Sequence, residues 1–409
     1  MQRFNGSALA PVGSALALAL AIAALAMTPA LAAENAPGVT ATEIKIGQTM
    51  PYSGPASAYS AIGKAELAYI AMINEQGGIN GRKINLVSVD DGYSPPKTFE
   101  DTRRLVEEDD VAFIFSSLGT PTGTVVHKYL NDHKVPQLFQ ASGATFWADP
   151  QHFPWSIGWQ PNYQTEGAIY GRYLLKLNPN AKVAVIYQND DAGRDYYKGF
   201  QMGLGPEAAK KMIIAVKTYE VTDPTLDSQI VSLQDSGATV LFDNSTPKFA
   251  AQAIRKTYDI GWHPTHFLMS VANSVAAVMS PAGFEKGQGI ISALYLKDPN
   301  DPQWAKDPAM EQWRAFMKKY DPSGDLADNF NVYGYEVAQT LVQMLKQCGN
   351  DLTRANIMKQ AANLNISLPL LLPGIKVETS PKDFSPIKQM QLARFEGKRW
   401  VRFGEVLGE

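Results

Sequence analysis

The chain of 409 residues contains one cysteine, Cys348. A single thiol closes no intramolecular disulfide, so a disulfide-stapled scaffold is excluded and the fold must be held by its core. Charge of one sign is lacking too, since 37 lysines and arginines face 40 aspartates and glutamates. That balance leaves no positive excess to neutralise phosphates, and nucleic acid is not an expected partner. Also missing are G-x-S-x-G, H-E-x-x-H, G-x-x-x-x-G-K-[ST] and G-x-G-x-x-G, the patterns of nucleophile elbows, zinc sites and phosphate loops. The expectation is a protein without catalysis, cofactor or metal. His263 and His266 have no third ligand nearby in sequence, and Asp90-Asp91 and Asp190-Asp191 each follow a strand, where carboxylates cap helices or meet basic side chains.

Long apolar runs are absent except at the start. Arg3 is the only charge in the first thirty-three residues, and Ala15 to Met27 is unbroken and apolar. Ala30-Leu31-Ala32 follows as a small-x-small cleavage pattern, so 1–32 reads as a signal peptide. The uncharged stretch 5–33 could instead be a membrane anchor, but its apolar core is short and Pro29 ends it. No cysteine stands at the cleavage point, so a lipoprotein is not expected. The protein is expected in the periplasm.

What is present is ordinary globular composition, 45% hydrophobic and 19% charged, long enough for two or three domains. Strands and helices alternate. Strands are expected at 44–49, 83–89, 111–115 and 135–139, with helices at 61–74, 97–107 and 122–130 between them. The rhythm restarts with a helix at 164–177 and strands at 182–187, 213–219, 240–243 and 266–270, again with helices between. A long amphipathic helix, 331–348, and a hairpin, 391–395 with 399–403, complete the chain. This pattern predicts α/β lobes with parallel sheets covered on both faces, divided near Gly158.

Two strand-to-helix junctions stand out. In Ser116-Ser-Leu-Gly-Thr-Pro-Thr-Gly123, Thr120 reads as an N-cap and Pro121 as the first helical residue. Its free amides and hydroxyls suit an anion. The second, Phe139-Gln-Ala-Ser-Gly-Ala-Thr-Phe-Trp147, sets small residues beside two aromatics. Both fall at the carboxyl ends of strands, where open α/β sheets bind ligands. Well-capped turns would read the same way.

The order Met50-Pro-Tyr-Ser-Gly-Pro55, Ile73-Asn-Glu-Gln-Gly-Gly-Ile-Asn-Gly81, Ser117-Leu-Gly-Thr120, Ser142-Gly-Ala-Thr145 and Tyr187-Gln-Asn-Asp-Asp-Ala-Gly193 resembles the periplasmic leucine/isoleucine/valine-binding family of ABC transporters. The resemblance spans the mature chain. It implies a type I periplasmic binding protein: two Rossmann-like lobes with parallel sheets, three interlobe crossovers, and closure over a ligand before docking on permease subunits in the inner membrane. The lobes would be 41–160 plus 297–366 and 161–296 plus 367–409, with crossovers near 158–163, 288–296 and 364–373. Carried over by position, the ligand carboxylate would meet Gly119 and Thr120 at the first junction and Gly143, Ala144 and Thr145 at the second. Tyr59 would roof the pocket, and Ala192, Asn244, Ser245, Val271 and Asn273 would close it from the other lobe.

Two departures from the family pattern shape the ligand expectation. Ala192 replaces an aromatic, and Val271 stands where amino-acid binders keep an acid for the ammonium. The expected ligand is therefore a small organic carboxylate, an aromatic acid of the benzoate or cinnamate type, with Tyr52, Tyr59, Phe146 and Trp147 as wall candidates. The alternatives are a branched-chain amino acid or amide, or service as a sensory ligand-binding subunit.

Overall fold

The computed structural model describes residues 1–7 and 35–408, so the expected leader and its cleavage point lie almost wholly outside the described residues. The unit Asn35–Glu409 is built on two sheets. The first is wholly parallel: β1 (Glu43–Met50), β2 (Lys83–Asp90), β3 (Ile114–Phe115), β4 (Gln137–Gln140) and β5 (Ser156–Gly158) lie in the order β2-β1-β3-β4-β5. The second contains β6 (Val183–Gln188), β7 (Ile213–Tyr219), β8 (Val240–Asn244), β9 (Thr265–Leu268) and β10 (Ile291–Leu294). Those five are parallel in the order β7-β6-β8-β9-β10. A short pair, β11 (Asn365–Ile366) and β12 (Val377–Glu378), stands apart. The hairpin β13 (Gln389–Glu396) and β14 (Arg399–Gly408) adds antiparallel strands beside β10.

Each lobe thus repeats one doubly wound order, in which the first strand is flanked by the second and the third. The winding reverses there, and helix-lined crevices open beyond the carboxyl ends of β1 and β3 in one lobe and of β6 and β8 in the other. The central strands read as apolar runs because both faces are covered; β8, Val-Leu-Phe-Asp-Asn, is buried at every position.

The expected strand 111–115 is regular only at its end. Ala112 N–H and Phe113 C=O still bond to β1, at 2.8 and 3.0 Å, and Ser116 then turns the chain at φ 48°. Helices beyond those expected include Pro206–Met212, Pro308–Tyr320 and Arg354–Ala361. Among the described residues no helix is long and apolar enough to cross a membrane.

Glycines govern the tightest helix contact. Helices Tyr163–Leu177 and Asp191–Leu204 each carry glycines four residues apart, Gly167 and Gly171 on one and Gly199 and Gly203 on the other. A Cβ on Gly199 would lie 2.2 Å from the Gln164 carbonyl oxygen, and one on Gly171 would lie 2.5 Å from that of Phe200. Only hydrogen at these positions lets the backbones touch. Cys348 closes helix Asn329–Cys348, buried, its Sγ 3.6 Å from Met344 Sδ.

Candidate functional site

The carboxyl ends of both sheets converge on one cavity. From the first lobe come Leu118-Gly119-Thr120 after β3 and Ala141 after β4. From the second come Gln188 at the end of β6, Asn244-Ser245-Thr246 at the end of β8, Ser270 and Val271 after β9, and Ala293 to Leu296 from β10 onward. Side-chain caps begin two of the helices here. Asn162 Oδ1 accepts from Gln164 N–H at 2.8 Å, and Asp190 Oδ1 accepts from Gly193 N–H at 3.0 Å.

Of the expected site residues, Tyr59, Gly119, Thr120, Ala192, Asn244, Ser245, Val271 and Asn273 line this cavity. Gly143, Ala144 and Thr145 do not. Gly143 is pressed against the first crossover, where its added Cβ would lie 2.3 Å from the Pro161 carbonyl oxygen, and Thr145 N–H donates to Asp195 Oδ2 at 2.6 Å. The Ala144 and Thr145 amides of the second junction are thus engaged within the protein, while Ala141 lines the cavity and Ser142 stays near it: the Ser142 and Thr120 hydroxyls are 2.6 Å apart. Thr120 is also not the N-cap. That position is Gly119, at φ 109°, and Thr120 is the first helical residue. Gly119 is required twice over, because a Cβ there would meet the Tyr93 ring at 2.5 Å as well as strain the backbone.

Aromatics dominate the wall, and of the four expected candidates Tyr59 is among them. Tyr52 turns its hydroxyl to Ser88 Oγ at 2.7 Å, and Phe146 and Trp147 pack on His127, with ring centroids 5.5 and 4.5 Å from it. The lining instead takes six tyrosines, Tyr59, Tyr93, Tyr163, Tyr196, Tyr295 and Tyr333, together with Phe330. Tyr163 stacks on Tyr196 at 4.2 Å and 22°, and Tyr59 packs on Phe330 at 5.1 Å. Burial pushes the Tyr163 hydroxyl up to about 12, against hydrogen bonding that includes Ser142 and Thr120. It therefore stays protonated and able to donate.

Buried glutamates brace this wall. Glu166 accepts from Ser270 N–H and Oγ, both at 2.7 Å, and from the hydroxyls of Tyr170 and Tyr196 at 2.9 and 3.1 Å. Its carboxyl is nonetheless held above the ordinary range by burial. Glu336 accepts from Leu370 N–H at 2.6 Å, which ties helix Asn329–Cys348 to the third crossover, and burial raises it to about 8. The second and third crossovers pair with each other: Lys297 N–H donates to Leu370 O at 2.8 Å and Leu372 N–H to Tyr295 O at 2.9 Å.

Ser245, Asp243 and His266 meet, but in an order that cannot activate the serine. Asp243 lies between them, receiving the Ser245 hydroxyl on Oδ1 and facing His266 Nε2 on Oδ2 at 3.0 Å. No imidazole adjoins Ser245 to take its proton. Asp90 and Asp91 accept backbone N–H groups of Gly92 and Tyr93, and Asp191 pairs with Arg194 at 2.8 Å, so these carboxylates serve turns and helix starts.

Several polar atoms of the lining have no hydrogen-bond partner among the described residues: Asn244 Nδ2, Tyr333 OH, Asp298 Oδ2 and Asn329 Oδ1. Burial raises Asp298 to about 6. The sequence reading missed Asp298, which lies past β10, because nothing in Leu296-Lys-Asp-Pro-Asn300 marks it apart from a surface turn.

A cavity shared by two doubly wound lobes, walled by aromatics and fed by a helix N-terminus, is a place for holding a small molecule. The family model for periplasmic binding proteins matches residues 43–399, and the chain belongs to that family. Among curated relatives, the Leu/Ile/Val-binding protein homolog 1 of Brucella suis is 25% identical over 339 residues, covering 79% of this chain and 83% of the relative. Among solved structures, a branched-chain amino acid ABC transporter protein from Thermus thermophilus with bound valine superposes with a TM-score of 0.80. It is 15% identical and covers 91% of this chain and 98% of that one. A solute-binding protein of an ABC transporter from R. palustris in complex with benzoate gives 0.74 at 20% identity, covering 90% and 98%. This chain is thus a periplasmic binding protein that is similar to the Leu/Ile/Val-binding homologues.

Proposed function

We propose that the protein is exported by a cleaved leader and captures a small organic carboxylate with a flat aromatic body for an ABC importer. The observation that carries this is the ring of tyrosines about the cavity, with hydroxyl donors gathered at one helix start. The amino end of helix Thr120–Asp132 and the Thr120, Ser142 and Tyr163 hydroxyls would receive the carboxylate. The rings would cover its body, each well-placed pair adding about 0.5–1.5 kcal/mol beyond burial. Val271 offers an ammonium no charge, and its carbonyl already accepts from Tyr59 OH at 3.0 Å. The benzoate complex of the R. palustris neighbour supports the same reading.

The lobes, taken as 41–160 plus 297–366 and 161–296 plus 367–409, would close about their connections, and the permease would read the closed state. A second reading, an amino acid, is favoured by one feature: Asp298 puts a carboxylate oxygen without a partner among the described residues on a cavity-lining residue. Calorimetric titration with benzoate, 4-hydroxycinnamate, leucine and phenylalanine separates the two. Micromolar or tighter binding of an aromatic acid is expected; binding of the amino acids alone overturns the aromatic reading.

A further inference from the structure

One stretch of the cavity lining carries acceptors without partners among the described residues. Asp298 is 3% exposed, and its Oδ1 is engaged twice, by Asn300 N–H at 2.7 Å and Asn300 Nδ2 at 2.9 Å. Its Oδ2 is shut off from solvent and has no partner among the described residues. The neighbouring cation does not neutralise it: Lys297 Nζ is held by Asp307 Oδ2 at 2.8 Å and lies over the Trp304 ring. A buried carboxylate oxygen left unpaired is costly, by several kcal/mol in an apolar site, so one on a cavity-lining residue favours a ligand that brings it a donor.

Asn329 supplies a second acceptor, and a chain of amides fixes which way it faces. Asn273 Nδ2 donates to the Ala293 carbonyl at 3.2 Å and to Ser292 Oγ at 3.1 Å. A carbonyl only accepts, so Asn273 must present its Oδ1 to Asn329. Asn329 answers with Nδ2 at 2.9 Å, which leaves Asn329 Oδ1 over. That oxygen has no partner among the described residues. Asn300 Nδ2 also donates to Ala327 O at 2.9 Å, binding the Asp298 turn to the segment that leads into Asn329. Both residues line the same cavity.

We infer that Asp298, seconded by Asn329, receives a hydrogen-bond donor carried by the ligand, so that the protein selects carboxylates bearing a further donor group, a hydroxyl or an ammonium, over those without one. The donors at Thr120, Ser142 and Tyr163 take the carboxylate, and the acceptors at Asp298 and Asn329 take the second group. This inference rests on the cavity being the ligand site, and not on the aromatic class of ligand.

The test uses two matched pairs titrated into the full mature chain: cinnamate with 4-hydroxycinnamate, and 4-methylpentanoate with leucine. The members of each pair differ in the donor, and the pairs place it at different distances from the carboxylate. In the wild type, the donor-bearing member of a pair that binds is expected to bind about tenfold or more tightly. Asp298→Asn keeps the Oδ1 that serves Asn300 but turns the open acceptor into a donor, and the ratio is expected to fall to about twofold or less. Asn329→Ala, which leaves Asp298 in place, lowers the ratio several-fold and serves if Asp298→Asn does not fold. Equal binding within both pairs, a preference that survives these substitutions, or no binding of any of the four overturns the inference. Aspartate-dependent preference in the leucine pair alone overturns the aromatic reading and upholds this one, whereas tight binding of both cinnamates without preference does the reverse.

Discussion

Thr120 carries the sharpest expectation at the scale of single residues. Because Gly119 is the cap, replacing Thr120 does not remove a helix cap, and the stability lost is that of one buried hydroxyl pair, about 1 kcal/mol. Thr120→Ala should weaken a carboxylate ligand by more, about 1.5–3 kcal/mol, the range for hydrogen bonds to charged groups. Titration beside thermal melting separates the two effects, and unchanged affinity would make the junction purely structural. Glu336 has an opposite kind of signature. Burial lifts it from 4.5 to about 8, so between those values the folded chain keeps a proton that the unfolded chain has released. Stability contributed by this group is full below about pH 4.5 and is lost as pH rises toward 8, at about 1.4 kcal/mol per unit. Glu336→Gln keeps an acceptor for Leu370 N–H. Denaturant titrations from pH 5 to 8 should show its slope flattened by about that amount, and an unchanged slope would mean that Glu336 is not protonated in the fold.

At the scale of elements, the paired glycines invert a familiar rule. Glycine to alanine in a helix ordinarily gains up to about 1 kcal/mol. At Gly199 the new methyl would lie 2.2 Å from the Gln164 carbonyl oxygen, and overpacking of this kind costs about 1–3 kcal/mol. Gly199→Ala should therefore lower the melting temperature; a rise would show that the helices can separate freely. Elements were also the most legible feature of the sequence. Strands such as 213–219 and helices such as 247–258 follow directly from apolar periodicity, which is local. The helix Pro308–Tyr320 has a local start signal, Asp307-Pro308, but it is set among polar residues that read as turns. The site was legible only where backbone signals mark it, as at Gly119-Thr120 and Asn244-Ser245. Tyr163, Tyr196, Tyr295 and Tyr333 belong to helices and a crossover whose faces are chosen by tertiary packing. Among 17 tyrosines no local pattern picks those that face the ligand. Gly143 to Thr145 had the right pattern and the wrong direction, because Asp195, fifty residues away, takes the Thr145 amide.

Across the whole molecule, the lobes touch through contacts that owe nothing to the ligand. Asp195 spans them: its Oδ2 accepts from Thr145 N–H at 2.6 Å and its Oδ1 from Gln164 Nε2 at 2.7 Å. Asp195 lies outside the cavity lining, yet Asp195→Ala should cost ligand affinity about tenfold by removing a charge-assisted bond between the lobes. Small-angle scattering should show a smaller radius of gyration on saturation in the wild type. A constant radius with stoichiometric binding would argue against closure.

The seclusion of Cys348 has a practical consequence. Burial raises its thiol to about 12, and at neutral pH almost none of it is the thiolate that reacts with maleimides or disulfides. The natural chain can thus be labelled at introduced positions without first removing its own cysteine. Lys128 and Lys198 are exposed, on helices Thr120–Asp132 and Asp191–Leu204 that meet from opposite lobes. A donor and an acceptor dye on cysteines placed there would turn the proposed closure into an optical signal, a rise in transfer efficiency when ligand is added.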